Sequence, residues 1–219
     1  MKKRIGVLLS GCGVQDGTEI HEAVLLLLAI DRAGAEACCY APNAPQRVVV
    51  NHFTGEESGG ERRNILVESA RIARGKIRSI GELKASNVDA LILPGGFGAA
   101  KNLSDFAFRR ANCTVHSEVG RILREMHAAG KPLGFVCIAP ALAARVLGEE
   151  HPKLTIGNDP ATADALRGMG AEHIECGATE IVEDPGRKIV STPAYMLGTG
   201  IAEVAEGIEK LVKRVVALA

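Results

Sequence analysis

The sequence predicts an α/β fold with a mostly parallel sheet. Three observations carry that prediction. The chain opens as strand, helix, strand; two later strands, residues 88–93 and 132–136, are apolar throughout instead of alternating; and both end in abrupt turns ahead of helical sequence. Strands covered on both faces read as continuous apolar runs, and a β-α-β unit joins parallel neighbours through a crossover. Ligands of such sheets gather at the carboxyl ends of the strands.

Residues 3–10 form the first apolar run, ending in the loop Ser-Gly-Cys-Gly. Asp16-Gly-Thr-Glu then starts a helix over 20–33, which Gly34 closes. Residues 36–40 are the second strand. Residues 41–86 are less regular, with prolines, a Gly-Gly pair and one helix over 62–74 ahead of Gly75, and read as an elaboration of the sheet edge. The strand at 88–93 ends in a Pro94-Gly95-Gly96-Phe97-Gly98 turn, residues 107–114 are a polar connection, and 117–129 is a helix stopped by Gly130. A short strand is expected at 154–157, and Asp159-Pro160 starts a helix ending near Gly170. Strands follow at 173–176, 180–183 and 188–191, the last two joined by an Asp184-Pro185-Gly186 turn, before a closing helix from about 200 to 218. The whole of residues 1–219 reads as one domain.

Chemistry concentrates at KPLGFVCIAPALAARVL, residues 131–147. A buried strand runs into Cys137, and helical sequence follows from Ile138, with Pro140 suited to a first helical turn. A turn of this kind lifts one side chain clear of the sheet and aims the Ile138 amide at it. The helix end then favours a thiolate, and the same amides can hold an oxyanion. The plain alternative is a buried structural cysteine. Gly95 and Gly96 end a neighbouring strand; without side chains they let backbone N–H groups approach a ligand, or simply make a tight turn. Glu19 and Glu22 share a face of the first helix. Either stands ready to carry a proton for the thiol, or both only complement the helix dipole.

The six histidines show no metal-ligand spacing; Cys113-x-x-His116 lacks a second pair, and His151 lies in what reads as an exposed loop. No metal and no cofactor is expected. GCGVQDG has neither the Lys-Ser/Thr of a phosphate loop nor dinucleotide spacing. Lys and Arg total 26, Asp and Glu also 26, so charge gives no reason to expect nucleic acid or a membrane surface as partner. The longest apolar run, residues 23–30, is far below the roughly 20 residues a membrane helix needs. The first residues are too short and glycine-interrupted for a signal peptide, and six cysteines without a CxxC pair fit free thiols in a reducing cytoplasm.

With these residues placed, the sequence resembles the ElbB family, in the PfpI-like branch of the class I glutamine amidotransferase superfamily. SGCGVQDGTEIHEAV, NHFTGE, LILPGGFGAAKNLS, GKPLGFVCIAPA, LTIG and STPAYML stand in the expected order across nearly the whole chain. The resemblance implies a flavodoxin-like three-layer α/β/α sandwich, Cys137 at a nucleophile elbow, Gly95 and Gly96 opposite it, Glu22 against the thiol, and a homodimer. It implies a glyoxalase that turns glyoxal, a small reactive dicarbonyl, into glycolate without glutathione, with a link to isoprenoid output. One departure stands out: where relatives place the triad histidine, this chain has Gly157-Asn158-Asp159. Glutamine hydrolysis would need that base. The rival to an enzyme is a redox-sensing or regulatory binding protein whose Cys137 is reversibly oxidised.

Overall fold

The computed structural model describes residues 2–219. Along the chain lie β1 (Arg4–Leu8), α1 (Ile20–Arg32), β2 (Glu36–Ala41), α2 (Ile65–Ile72), β3 (Ile77–Ser79), β4 (Ala90–Leu93), α3 (Phe97–Lys101) and α4 (Phe106–Arg109). Then come α5 (Ser117–Ala128), β5 (Leu133–Val136), α6 (Pro140–Leu147), β6 (Lys153–Leu154), α7 (Pro160–Gly168), β7 (Glu172–His173), β8 (Val182–Asp184), β9 (Ile189–Thr192) and α8 (Ile201–Leu218). Seven strands form one sheet in the order β3-β2-β1-β4-β5-β9-β8. Every pairing in it is parallel except β8 with β9.

The strand residues alternate between two cores, which makes the molecule three-layered. Leu8, Leu91, Leu93, Leu133 and Phe135 face Ile122, Leu123 and Met126 of α5 and Leu142 of α6. Ile5, Val7, Ile92 and Val190 face Leu26 and Ile30 of α1 and Ile208, Leu211 and Val215 of α8. The three-layer α/β/α class read from the sequence is therefore the observed one. The two continuous apolar runs, β4 and β5, lie inside the sheet and are buried throughout, as such runs require.

Several local expectations need correction. The short strand expected at 154–157 is Lys153–Leu154, β6, which pairs with β7 in a separate ribbon. Residues 77–79, read as irregular, are the edge strand β3, paired with β2. The PGGFG segment is not only a turn, because α3 begins at Phe97, and α4 occupies part of the supposed polar connection. These short helices depend on other loops: Phe97 and Gly98 donate their N–H groups to the carbonyls of Val14 and Gly17 at 2.7 and 2.8 Å. The helix expected over 62–74 starts later, at Ile65, since Asn64 Oδ1 accepts from the amides of Leu66 and Val67 and caps it there.

Among the described residues no helix is long and apolar enough to cross a membrane. No group of three or more His, Cys, Asp or Glu among them is arranged to hold a metal ion.

Candidate active site

β5 ends at Val136, and Cys137 takes the left-handed conformation with φ of +60°. Only glycine adopts that region freely, so a cysteine held there costs on the order of 1–2 kcal/mol. Neighbouring bonds enforce it: Cys137 N donates to Thr192 O at 2.9 Å, and Ala139 N donates to Val136 O at 3.0 Å. The helix starts at Pro140, not at Ile138, with proline in its first turn. The intervening two residues turn the chain and leave the Ile138 amide facing the thiol.

Three other segments converge on Cys137. Glu22, in the first turn of α1, is wholly buried and its side chain hydrogen-bonds the Cys137 thiol. Glu22 Oε2 accepts from Gly95 N at 2.9 Å, and Oε1 accepts from Tyr195 N at 3.3 Å. The Gly96 and Ile138 amides act on the thiol itself. All of this lies beyond the carboxyl ends of β1, β4, β5 and β9.

The structure separates the two glutamates. Glu19 caps α1, its Oε2 accepting from Glu22 N at 2.6 Å, while Glu22 points at the sulfur. It also reassigns Gly95. The single Gly95 N–H is committed to Glu22, so it has no hydrogen left for an oxyanion, and the donors facing the thiol are Gly96 and Ile138. Gly95 supplies room instead: a Cβ there would stand 2.5 Å from Cys137 Cβ and 2.7 Å from Glu22 Oε2. Gly96 supplies shape, with φ of +92° and its backbone pressed against Gly17 and Glu19.

The electrostatics run against one expectation. A helix end was expected to favour the thiolate, but burial first and Glu22 second push the Cys137 thiol well above its usual range, and the Gly96 and Ile138 amides only partly oppose them. Burial first, then Glu19, raises Glu22 to about 8, against the opposing amides of Tyr195 and Gly95. Both groups shift upward because a dry pocket disfavours charge and two anions in contact repel. The pair therefore holds two protons at neutral pH and one above about pH 8.

No histidine is among the groups that act most strongly on Cys137. In the segment where the triad histidine is absent, Gly157 has φ of +92° and Asp159 caps α7 by accepting from Thr162 N at 2.8 Å. His151 bonds Gly170 O at 2.8 Å at the end of the α6 region, and His116 caps α5 by accepting from Glu118 N. Cys113 is buried with its sulfur 3.8 Å from Met169 Sδ, so it and His116 do not form a ligand pair.

Tyr195 is the contributor that sequence reasoning missed. Its motif, STPAYML, was visible, but the useful atom is a backbone N–H, and nothing in a residue's identity announces where its amide will point.

No family model matches the chain. Among curated proteins, the ES1 protein homolog, mitochondrial, of Rattus norvegicus is 47% identical over 226 residues, 99% of this chain and 84% of that protein. The human glutamine amidotransferase-like class 1 domain-containing protein 3, mitochondrial, is also 47% identical, over 224 residues, 98% of this chain and 83% of that protein. The chain belongs to this ES1 family of glutamine amidotransferase-like class 1 proteins. A crystal structure described as an isoprenoid biosynthesis protein with amidotransferase-like domain from Ehrlichia chaffeensis superposes with a TM-score of 0.92 at 39% identity, covering 99% of each chain. A ThiJ/PfpI domain protein from Brachyspira murdochii shares the fold alone, with a TM-score of 0.61 at 14% identity over 100% of this chain and 97% of that one.

The relatives' names overturn one expectation. The rat and human relatives are both called mitochondrial, which conflicts with a purely cytoplasmic location. The six cysteines are free thiols, and their spacing does not name a compartment.

Proposed function

We propose that the protein is a cofactor-independent glyoxalase that converts glyoxal to glycolate on Cys137, the activity implied by its resemblance to the ElbB family. The observation that carries this reading is the fully buried Glu22, hydrogen-bonded to the thiol and facing the same space as the Gly96 and Ile138 amides. A thiol, a proton carrier and two oxyanion donors are what an internal redox transfer between adjacent carbons requires.

In the one-proton form of the pair, Glu22 accepts the thiol proton and the sulfur adds to one carbonyl carbon. The C=O π bond becomes an oxyanion held by Gly96 and Ile138, and Glu22 returns the proton to it, giving a hemithioacetal. Glu22 then removes the hydrogen from that carbon as a proton while the hemithioacetal hydroxyl proton passes to the neighbouring oxygen, giving an enediolate, and Glu22 delivers its proton to the neighbouring carbon. One carbon is thereby oxidised to a thioester and the other reduced to a hydroxymethyl group. Water cleaves the thioester, releasing glycolate and the thiol. With Cys137 only 8% exposed, the site suits a small electrophile better than a glutathione adduct.

A redox-sensing role for the same cysteine would draw on the same Glu22-assisted thiolate and is distinguished by the absence of turnover. Glutamine hydrolysis lacks the triad histidine, whose place is taken by Gly157-Asn158-Asp159. The isoprenoid link rests on the name of the Ehrlichia protein and on the resemblance. The homodimer also belongs to this reading: Ile20, Val24 and Leu28, four residues apart on α1, are all exposed and offer a second copy an apolar stripe.

The test is glycolate formation from glyoxal without glutathione and with metals chelated, comparing wild type, Cys137→Ala and Glu22→Gln. Turnover by the wild type and none by either variant supports the reading. Equal slow consumption of glyoxal by wild type and Cys137→Ala removes it.

A further inference from the structure

Glu22 is held by two backbone amides of unequal security. Gly95 lies in the turn after β4, braced where Glu19 N donates to Gly95 O at 3.0 Å. Tyr195 lies in a 3₁₀ turn, Ala194–Met196, whose first residue is buried with φ of +44°, a conformation costly for any residue but glycine. Something must keep that turn pressed towards α1. The side-chain hydrogen bond that does so is His21 Nδ1 to Tyr195 Oη, 2.9 Å long, with the two rings tilted by 49° at 5.9 Å. His21 immediately precedes Glu22, so the bond spans the same two elements as the amide contact beneath it.

We propose that Tyr195 and His21 are positioning residues for the Cys137–Glu22 pair: the bond between their side chains keeps the Tyr195 amide on Glu22 Oε1. The inference concerns how the pair ionises and stands whether or not glyoxal is the substrate. Neither side chain exchanges a proton with the sulfur; they act through the amide. The titratable groups facing Glu22 are Glu19 from the cap of α1, Cys137 from the elbow and the Tyr195 phenol, which burial and then the two glutamates push above its usual range. An N–H on a carboxylate oxygen favours the ionised acid, so loosening it raises the carboxyl further.

The experiment is the pH dependence of Cys137 alkylation by iodoacetamide, read by peptide mass spectrometry in wild type, Tyr195→Phe, His21→Phe and His21→Gln. In the wild type the rate climbs and levels off near pH 8, as Glu22 ionises. The Tyr195→Phe and His21→Phe midpoints are expected to move upward by roughly half to one pH unit. His21→Gln, whose side-chain amide still reaches the phenol, stays near the wild type. Amide hydrogen exchange supplies the second readout: exchange at residue 195 accelerates in Tyr195→Phe while the core strands keep their protection. Unchanged midpoints in both phenylalanine variants overturn the proposal, as do a wild type without a plateau or unaltered exchange at residue 195. Glyoxal turnover measured on the same samples reports separately on the proposed activity.

Discussion

Replacing Glu22 with glutamine separates two roles that the structure superimposes on one carboxyl. In the wild type Glu22 loses the first proton of the pair, at about pH 8, and the thiol lies higher. Below pH 8 the thiolate that coexists with neutral Glu22 grows tenfold per unit. Above it growth stops, because the ionised carboxylate in contact with the sulfur repels a second anion. Glutamine keeps the shape and a donor but has no charge to place there, so its thiolate goes on rising. With both rates normalised at pH 7, the variant at pH 9 should alkylate about tenfold faster than the wild type, one pH unit past the Glu22 midpoint. The assay is iodoacetamide labelling of the Cys137 peptide between pH 6 and 9.5, with the buried Cys39, whose thiol burial raises to about 11, as an internal slow control. The same variant should form no glycolate, having lost the proton carrier. Parallel profiles for the two proteins would refute the idea that Glu22 and Cys137 share their protons.

Stability tests the same carboxyl from another side. Glu22 rises from an ordinary 4.5 to about 8 on folding, so the folded state holds the extra proton between those values. Its contribution is complete below pH 4.5 and is lost as pH climbs to 8, by on the order of 3–5 kcal/mol as an upper bound. Urea denaturation should therefore show Glu22→Gln gaining on the wild type from pH 5 to 8, and a constant difference would contradict the burial argument. Gly95→Ala drives a methyl between Cys137 and Glu22, to 2.5 Å from one and 2.7 Å from the other; we expect a loss of about 1–3 kcal/mol in stability and roughly 100-fold in glycolate formation. Asp159→Ala removes the α7 cap and should cost about 1 kcal/mol by thermal denaturation with turnover intact. A collapse of turnover there would place Asp159 in the catalytic machinery instead.

Much of the fold was legible because its signals are local. The β-α-β opening, the apolar strands, the Asp159-Pro160 start of α7 and the glycines ending α1 and α5 each depend on a few adjacent residues. The misplaced elements are those that depend on distant ones. β3 has only three residues, none of them buried, and exists because β2 offers it an edge. The strand expected at 154–157 is instead Lys153–Leu154, because so short a segment does not say where its pairing with a distant strand begins and ends.

The site divides in the same way. Sequence by itself determined the elbow: a buried strand running into cysteine and then into helical sequence fixes where the sulfur emerges, and Gly95-Gly96 marks a backbone that must come close to something. Only the tertiary structure decided that Glu22 faces the sulfur and Glu19 caps the helix, that Gly95 serves the carboxyl instead of an oxyanion, and that Tyr195 contributes an amide from 173 residues away. It also reversed the expected ionisation. Helix geometry can be read from neighbouring residues, but the desolvation that pushes Cys137 and Glu22 upward comes from everything packed around them, and no local stretch of sequence records it.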